Sequence, residues 1–180
     1  GTIIDDVNNA LACVNDMLER KRMKPINLAE YYDYVDTPII NFYYRILPPD
    51  EVDFSEISRE YHSDYARHLE ETTLANGAED LLKALKERGV HQYIITSNFI
   101  DETVELTKKY GVYEYFDEIL GADNTLAESK IERAKSFFEL KGIKRNDAVF
   151  IGDTLHDLET ANALGIDCVL VAYGHQGRKL

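Results

Sequence analysis

Asp147-Ala148-Val149-Phe150-Ile151-Gly152-Asp153-Thr154-Leu155-His156-Asp157 decides how this chain is read. Residues 147–151 are a short apolar run, rich in β-branched and aromatic side chains, which predicts a buried strand. Gly152 then turns the chain, and two carboxylates follow, Asp153 and Asp157, at a spacing of four. In open parallel sheets, ligand sites lie at the carboxyl ends of strands. Asp153 is expected at such an end, with Asp157 one helical turn further and on the same side. Hard oxygen ligands at a strand tip suit magnesium. The same two acids also suit a helix N-terminus, where they oppose the positive end of the helix dipole.

The segments around this stretch alternate. Residues 91–96, 117–120 and 167–172 predict further strands. Helical patterns run over 78–88, 101–110, 129–141 and 157–164, with Asp101 as an N-cap and Gly89, Gly111, Gly142 and Gly165 as stops. Strands separated by helices of this length predict βαβ units and an α/β fold with a parallel sheet. Residues 6–75 differ, with helical patterns and no convincing strand. Tyrosines crowd there (Tyr31, Tyr32, Tyr34, Tyr43, Tyr44, Tyr61, Tyr65), and Pro38, Pro48 and Pro49 interrupt it. This reads as a helical subdomain inserted in an α/β core. The aromatics serve either as its core or as a lid, and Arg45, His62, Arg67 and His68 are candidates to meet an anionic group.

Three weaker signals accompany the acids. Thr96-Ser97-Asn98 closes the strand over 91–96, where a hydroxyl and successive N–H groups can hold a phosphate; an ordinary capped turn would look the same. Lys130 opens the helix over 129–141 after Glu128-Ser129, a position that opposes the helix dipole unless an anion is present; a solvated surface lysine is the other reading. Gly1-Thr2-Ile3-Ile4-Asp5-Asp6 leads as a loop into a helix capped by Asp5 or Asp6.

Taken in order, these pieces resemble the haloacid dehalogenase superfamily, in its phosphoglycolate phosphatase-like group. That family runs D-x-D-G-T at its first strand, Thr or Ser at the end of the second, Lys before a later helix, and G-D-x-x-x-D at the fourth. Gly1-Thr2-Ile3-Ile4-Asp5 is similar to the tail of the first motif, Thr96 to the second, Lys130 to the third, and Asp153 with Asp157 to the fourth. Gly77 before a leucine-rich helix and the ending Val169-Leu170-Val171-Ala172-Tyr173-Gly174-His175 look like the same group. The resemblance implies a Rossmann-like parallel sheet formed by residues 1–5 and 76–180, with residues 6–75 as an inserted α-helical cap.

It also implies a magnesium-dependent phosphomonoester hydrolase that passes through an aspartyl-phosphate. In that scheme Asp153 binds Mg2+ and Asp157 binds it through water. Thr96 donates to the transferring phosphoryl group, and Lys130 pairs with the nucleophile and the phosphoryl oxygens. Gly1, Thr2, Ser97 and Asn98 are phosphate or substrate contacts. A sugar-phosphate mutase would share every one of these motifs. The G-D-x-x-x-D pattern speaks against the metal-free dehalogenase branch. The two aspartates of D-x-D would stand just before Gly1, and with them the central first strand, so both are expected to be absent from this chain. A truncated or non-catalytic homologue acting through a protein partner is the reading from a different class.

Composition bounds the partners. In 180 residues, 20 Lys and Arg stand against 33 Asp and Glu, for a net charge of −13. Such a surface repels nucleic acid and anionic membranes but admits a small phosphorylated metabolite, because a metal ion can dominate the field of one pocket. No apolar run reaches the length of a membrane span. The polar opening does not read as a secretory leader, and Cys13 and Cys168 are expected as reduced thiols, so a cytoplasmic location is expected. Exposed apolar residues in the helical block could support a homodimer.

Overall fold

The computed structural model describes residues 1–122 and 130–176. In chain order the first elements are β1 (Ile4–Asp5), α1 (Val7–Arg20), α2 (Leu28–Tyr34), α3 (Ile40–Ile46), α4 (Phe54–Arg67) and β2 (Thr73–Leu74). There follow α5 (Ala78–Glu87), β3 (Tyr93–Phe99), α6 (Ile100–Lys109), β4 (Glu118–Ala122) and α7 (Lys130–Lys141). The chain closes with β5 (Val149–Gly152), α8 (Leu155–Leu164) and β6 (Asp167–Leu170). Two units divide these elements: Gly1–Thr73 with Val149–Glu159 and Cys168–Leu180, and Leu74–Ala148 with Thr160–Asp167.

The first unit is organised by α1. Val7, Ala10, Val14, Met17 and Leu18 recur at helical spacing and form one buried stripe. They pack in one cluster with Tyr31, Phe42, Tyr43, Ile46 and Ile57. Phe42 is 1 % exposed and meets Tyr31 and Tyr43 edge-on, at centroid distances of 5.5 Å and 5.3 Å. Burying such a ring contributes about 1.5–3 kcal/mol. The crowded aromatics are therefore largely core, and they explain why this region folds although its helices are short. Local signals fix where α2 and α4 begin. Asn27 and Glu30 form a reciprocal capping box, and Asp53 accepts from the N–H groups of Ser55 and Glu56. In the same unit β5 lies beside β6, and the N–H of Val171 donates to Gly152 O at 2.8 Å.

The second unit is built on β3 and β4, which pair in parallel through Tyr93↔Glu118, Ile94↔Ile119 and Ile95↔Leu120. Buried Gln92 ties the strand entrance down. Its N–H donates to Asp117 and its side-chain amide to Leu82 O and Tyr115 O. From α7, Phe137 meets Tyr93 edge-on at 4.9 Å.

Several boundaries differ from the sequence reading. The strand over 91–96 runs instead from Tyr93 to Phe99. Asp101 is not an N-cap: α6 begins one residue earlier, at Ile100, and Phe99 takes the cap position with no side-chain cap bond. Helix α8 starts at Leu155, two residues before the expected position. Thr73 and Leu74, at the end of the region read as wholly helical, pair as a strand with Ile4 and Asp5. Among the described residues the strands form three separate two-stranded pairs. Glu128 and Ser129 lie outside the described residues.

Candidate functional site

Asp153 sits immediately after β5 and is 5 % exposed. Its Oδ1 accepts from the Thr2 hydroxyl at 2.8 Å and its Oδ2 from the His175 backbone N–H at 2.9 Å. A carboxylate has about four acceptor positions, so these bonds orient the group without filling it. Gly174 explains how the chain comes so close. It has φ +84°, and a Cβ there would lie 2.5 Å from Asp153 Oδ2. Glycine alone combines that backbone region with that clearance. Gly1 lies against the same carboxylate.

Asp157 is buried too, and its Oδ2 closes the turn at the start of α8. It accepts from the N–H of Asp153 and of Thr154, both at 3.0 Å, and from the Thr154 hydroxyl at 2.8 Å. This is the capping arrangement that an acid at a helix N-terminus can make. Gly1, Thr2, Asp153 and Asp157 are thus brought together within the first unit.

A further buried carboxylate belongs to this cluster. Asp6 occupies the N-cap position of α1 but makes no side-chain cap bond. Its Oδ1 lies 2.7 Å from Gly1 N and 3.1 Å from His175 Nε2, while its Oδ2 accepts from the Tyr65 hydroxyl at 2.8 Å. Tyr31 completes the chain of contacts, its hydroxyl lying 2.8 Å from His175 Nδ1. Burial, reinforced by the charge on Asp6, raises the Tyr31 phenol well above its ordinary value, so it stays protonated. Its signal in the sequence was faint, because it is one tyrosine among several in the helical block.

Thr96, Ser97, Asn98 and Lys130 belong to the second unit. The three consecutive residues do not follow β3 but lie inside it, where the register shifts between Ile95 and Phe99. Such irregularities re-aim side chains at a strand end. The Asn98 N–H donates to Thr96 Oγ1 at 3.2 Å, and the Arg133 guanidinium donates to Thr96 O at 2.9 Å. Ser97 is exposed. Lys130 is the first residue of α7, one turn before Arg133, and is half-buried. Arg133 is a residue that the sequence patterns did not single out.

The basic residues of the helical block have other partners. Arg45 donates to Asp33 O and Tyr34 O, at the end of α2, and to the Asp36 carboxylate. Arg67 pairs with Asp64 and Asp16, and His68 with Asp16. His62 packs edge-on against Tyr61.

No group of three or more His, Cys, Asp or Glu side chains among the described residues is arranged to hold a metal. Magnesium asks for less than that from a protein, commonly one or two carboxylates beside waters and substrate phosphate. Asp153 fits the part of one such ligand. It is a buried oxygen donor at a strand end, oriented at both oxygens and with acceptor positions remaining.

The sequence model of the haloacid dehalogenase-like hydrolases matches residues 1–171, and the chain belongs to that family. It is 29 % identical over 184 residues to the phosphoglycolate phosphatase of Pseudomonas fluorescens (strain Pf0-1), a match covering 97 % of this chain and 67 % of that one. Against the phosphoglycolate phosphatase of Neisseria gonorrhoeae (strain ATCC 700825 / FA 1090) the identity is 30 % over 190 residues, covering 97 % and 78 %. A haloacid dehalogenase-like family protein from Streptococcus pneumoniae has the same fold, with a TM-score of 0.86 over 99 % of this chain and 84 % of that one, at 21 % identity. By family the protein is a phosphatase, and its sequence is of the phosphoglycolate phosphatase-like group. No helix among the described residues is long and apolar enough to cross a membrane.

Proposed function

We propose that this chain carries the metal- and phosphate-binding part of a magnesium-dependent phosphomonoesterase that acts on a small phosphorylated metabolite, phosphoglycolate being the first candidate. The observation that supports this best is Asp153, a buried carboxylate at the end of β5, held at one oxygen by Thr2 and at the other by the backbone of His175. In this reading Asp153 is the carboxylate that holds Mg2+, and Asp157 reaches it through water while its Oδ2 keeps the turn closed. The ion, when bound, supplies charge neutralisation to the phosphoryl oxygens. Thr96 donates a hydrogen bond to the transferring group, and Ser97, Asn98, Gly1 and Thr2 contribute phosphate contacts. Lys130 balances the charge of the nucleophile and the phosphoryl oxygens. Residues 6–75 serve as the helical cap that selects the substrate, on a core formed by residues 1–5 and 76–180. Phosphoryl transfer asks a protein mainly for positioning and charge neutralisation, which is what such residues supply.

The attacking carboxylate is neither Asp5 nor Asp6. Asp5 is exposed, with one oxygen turned to the Val7 N–H, and Asp6 is engaged at one oxygen by His175 and at the other by Tyr65. The nucleophile that forms the aspartyl-phosphate then comes from an Asp-x-Asp pair set ahead of Gly1, as in the family pattern. Phosphate release from phosphoglycolate and a panel of sugar and nucleotide phosphates, with and without magnesium, tests this. A protein in which Asp-x-Asp precedes Gly1 is expected to turn over, and residues 1–180 alone are not. No magnesium-dependent release on any ester by the longer protein would end this reading.

A further inference from the structure

His175, Asp6 and Tyr31 form a polar chain beside Asp153 that none of the proposed steps uses. His175 Nε2 lies 3.1 Å from Asp6 Oδ1, and His175 Nδ1 lies 2.8 Å from the Tyr31 hydroxyl. The imidazole is thereby gripped at both nitrogens by Tyr31 of α2 and by Asp6 at the start of α1. Tyr65 of α4 grips the other oxygen of Asp6. The backbone N–H of the same His175 donates to Asp153 Oδ2. Its neighbours are pinned as well. The Tyr173 hydroxyl donates to Thr2 O at 2.9 Å, and Gln176 Oε1 accepts from the Leu155 N–H at 2.7 Å. Asp6, Tyr31, Tyr65 and Gln176 are each no more than 6 % exposed. Polar groups buried this deeply are costly unless every partner is in place, so such a network specifies one arrangement.

We propose that His175 is a positioning residue: its ring, clamped between Tyr31 and Asp6, fixes the backbone N–H that orients the Asp153 carboxylate and so couples helices α1, α2 and α4 to that acid. The magnesium part of this inference rests on the reading of Asp153 given above.

Amide hydrogen exchange on the longer protein, with Asp-x-Asp ahead of Gly1, tests the coupling directly. His175→Ala is expected to speed exchange at residue 175 and over 153–157, with the amides of α1 and α4 near wild type. His175→Gln keeps an N–H close to the Nε2 position and should restore most of the protection. Tyr31→Phe, which removes one side of the clamp, should fall between. In the longer protein with Asp-x-Asp ahead of Gly1, His175→Ala should raise the magnesium needed for half-maximal hydrolysis roughly tenfold, with substrate KM close to wild type. Exchange over 153–157 as slow in His175→Ala as in wild type overturns the inference, whatever the enzyme does. Faster exchange, with a wild-type protein that releases no phosphate, leaves the positioning role standing and removes only the functional reading. Should His175→Ala fail to fold, exchange over 153–157 as slow in Tyr31→Phe as in wild type overturns the inference equally.

Discussion

Asp153 stands just past the end of β5 and Thr96 inside β3, and the two units hold them by different means. In the first unit Asp153 takes a hydrogen bond from Thr2, 151 positions away in sequence, and another from His175, 22 positions away. Asp6 is tied in the same manner to Tyr65 and His175. All of this rests on the aromatic and aliphatic core of the helical block. In the second unit Thr96 is placed mainly by backbone: a parallel strand pair, a register shift and the N–H of Asn98 two residues on. Arg133 adds one long-range contact to its carbonyl. An acid buried beside other acids needs distant donors to be tolerated, whereas a hydroxyl on a half-exposed strand needs only the strand.

That contrast can be tested at graded cost. Phe42→Ala removes the least exposed ring of the first unit's core and should destabilise the protein by about 3–5 kcal/mol in denaturant unfolding. A loss under about 1 kcal/mol would mean that the helical block does not carry its polar network. Gly121→Ala probes the second unit, where backbone dictates fit. The added Cβ would lie 2.7 Å from Ile100 Cα and N, so the strand or α6 must move, at about 1–3 kcal/mol. A neutral Gly121→Ala substitution would show that backbone approach is not what sets this region.

The smallest effect is alkaline. Cys13 is buried on α1, and burial, reinforced by Asp64 and Asp16, pushes its thiol up to about 12 from an ordinary 9.0. The folded chain therefore keeps a proton that the unfolded chain releases, and stability falls as pH rises from 9.0 towards 12. Burial raises Tyr31 and Tyr61 likewise, and they act in the same direction. Melting curves across that window should show the decline, with a shallower slope in Cys13→Ala. An identical slope would remove Cys13 from the account.

Residues 78–172 were largely legible in sequence because βαβ periodicity is local: apolar runs, glycine stops and short loops state the element order without reference to anything distant. Asp153, Asp157, Thr96 and Lys130 were legible as types at spacings, and the family pattern ordered them. The part Asp157 plays in closing its own turn was visible only as one of two readings. The course of β3 through Thr96-Ser97-Asn98 was misread, because a register shift depends on the partner strand and not on the strand's own residues.

The sequence by itself determined the family, the order of the α/β elements and the residue types of the proposed phosphate site, since each of these is written in neighbouring residues or in fixed spacings. Only the tertiary structure decided that His175, Asp6, Tyr31 and Tyr65 stand together behind Asp153. Those residues come from four separate stretches of chain, and the reason they meet is physical. A buried carboxylate must find donors, and here the helical block and the segment after β6 provide them.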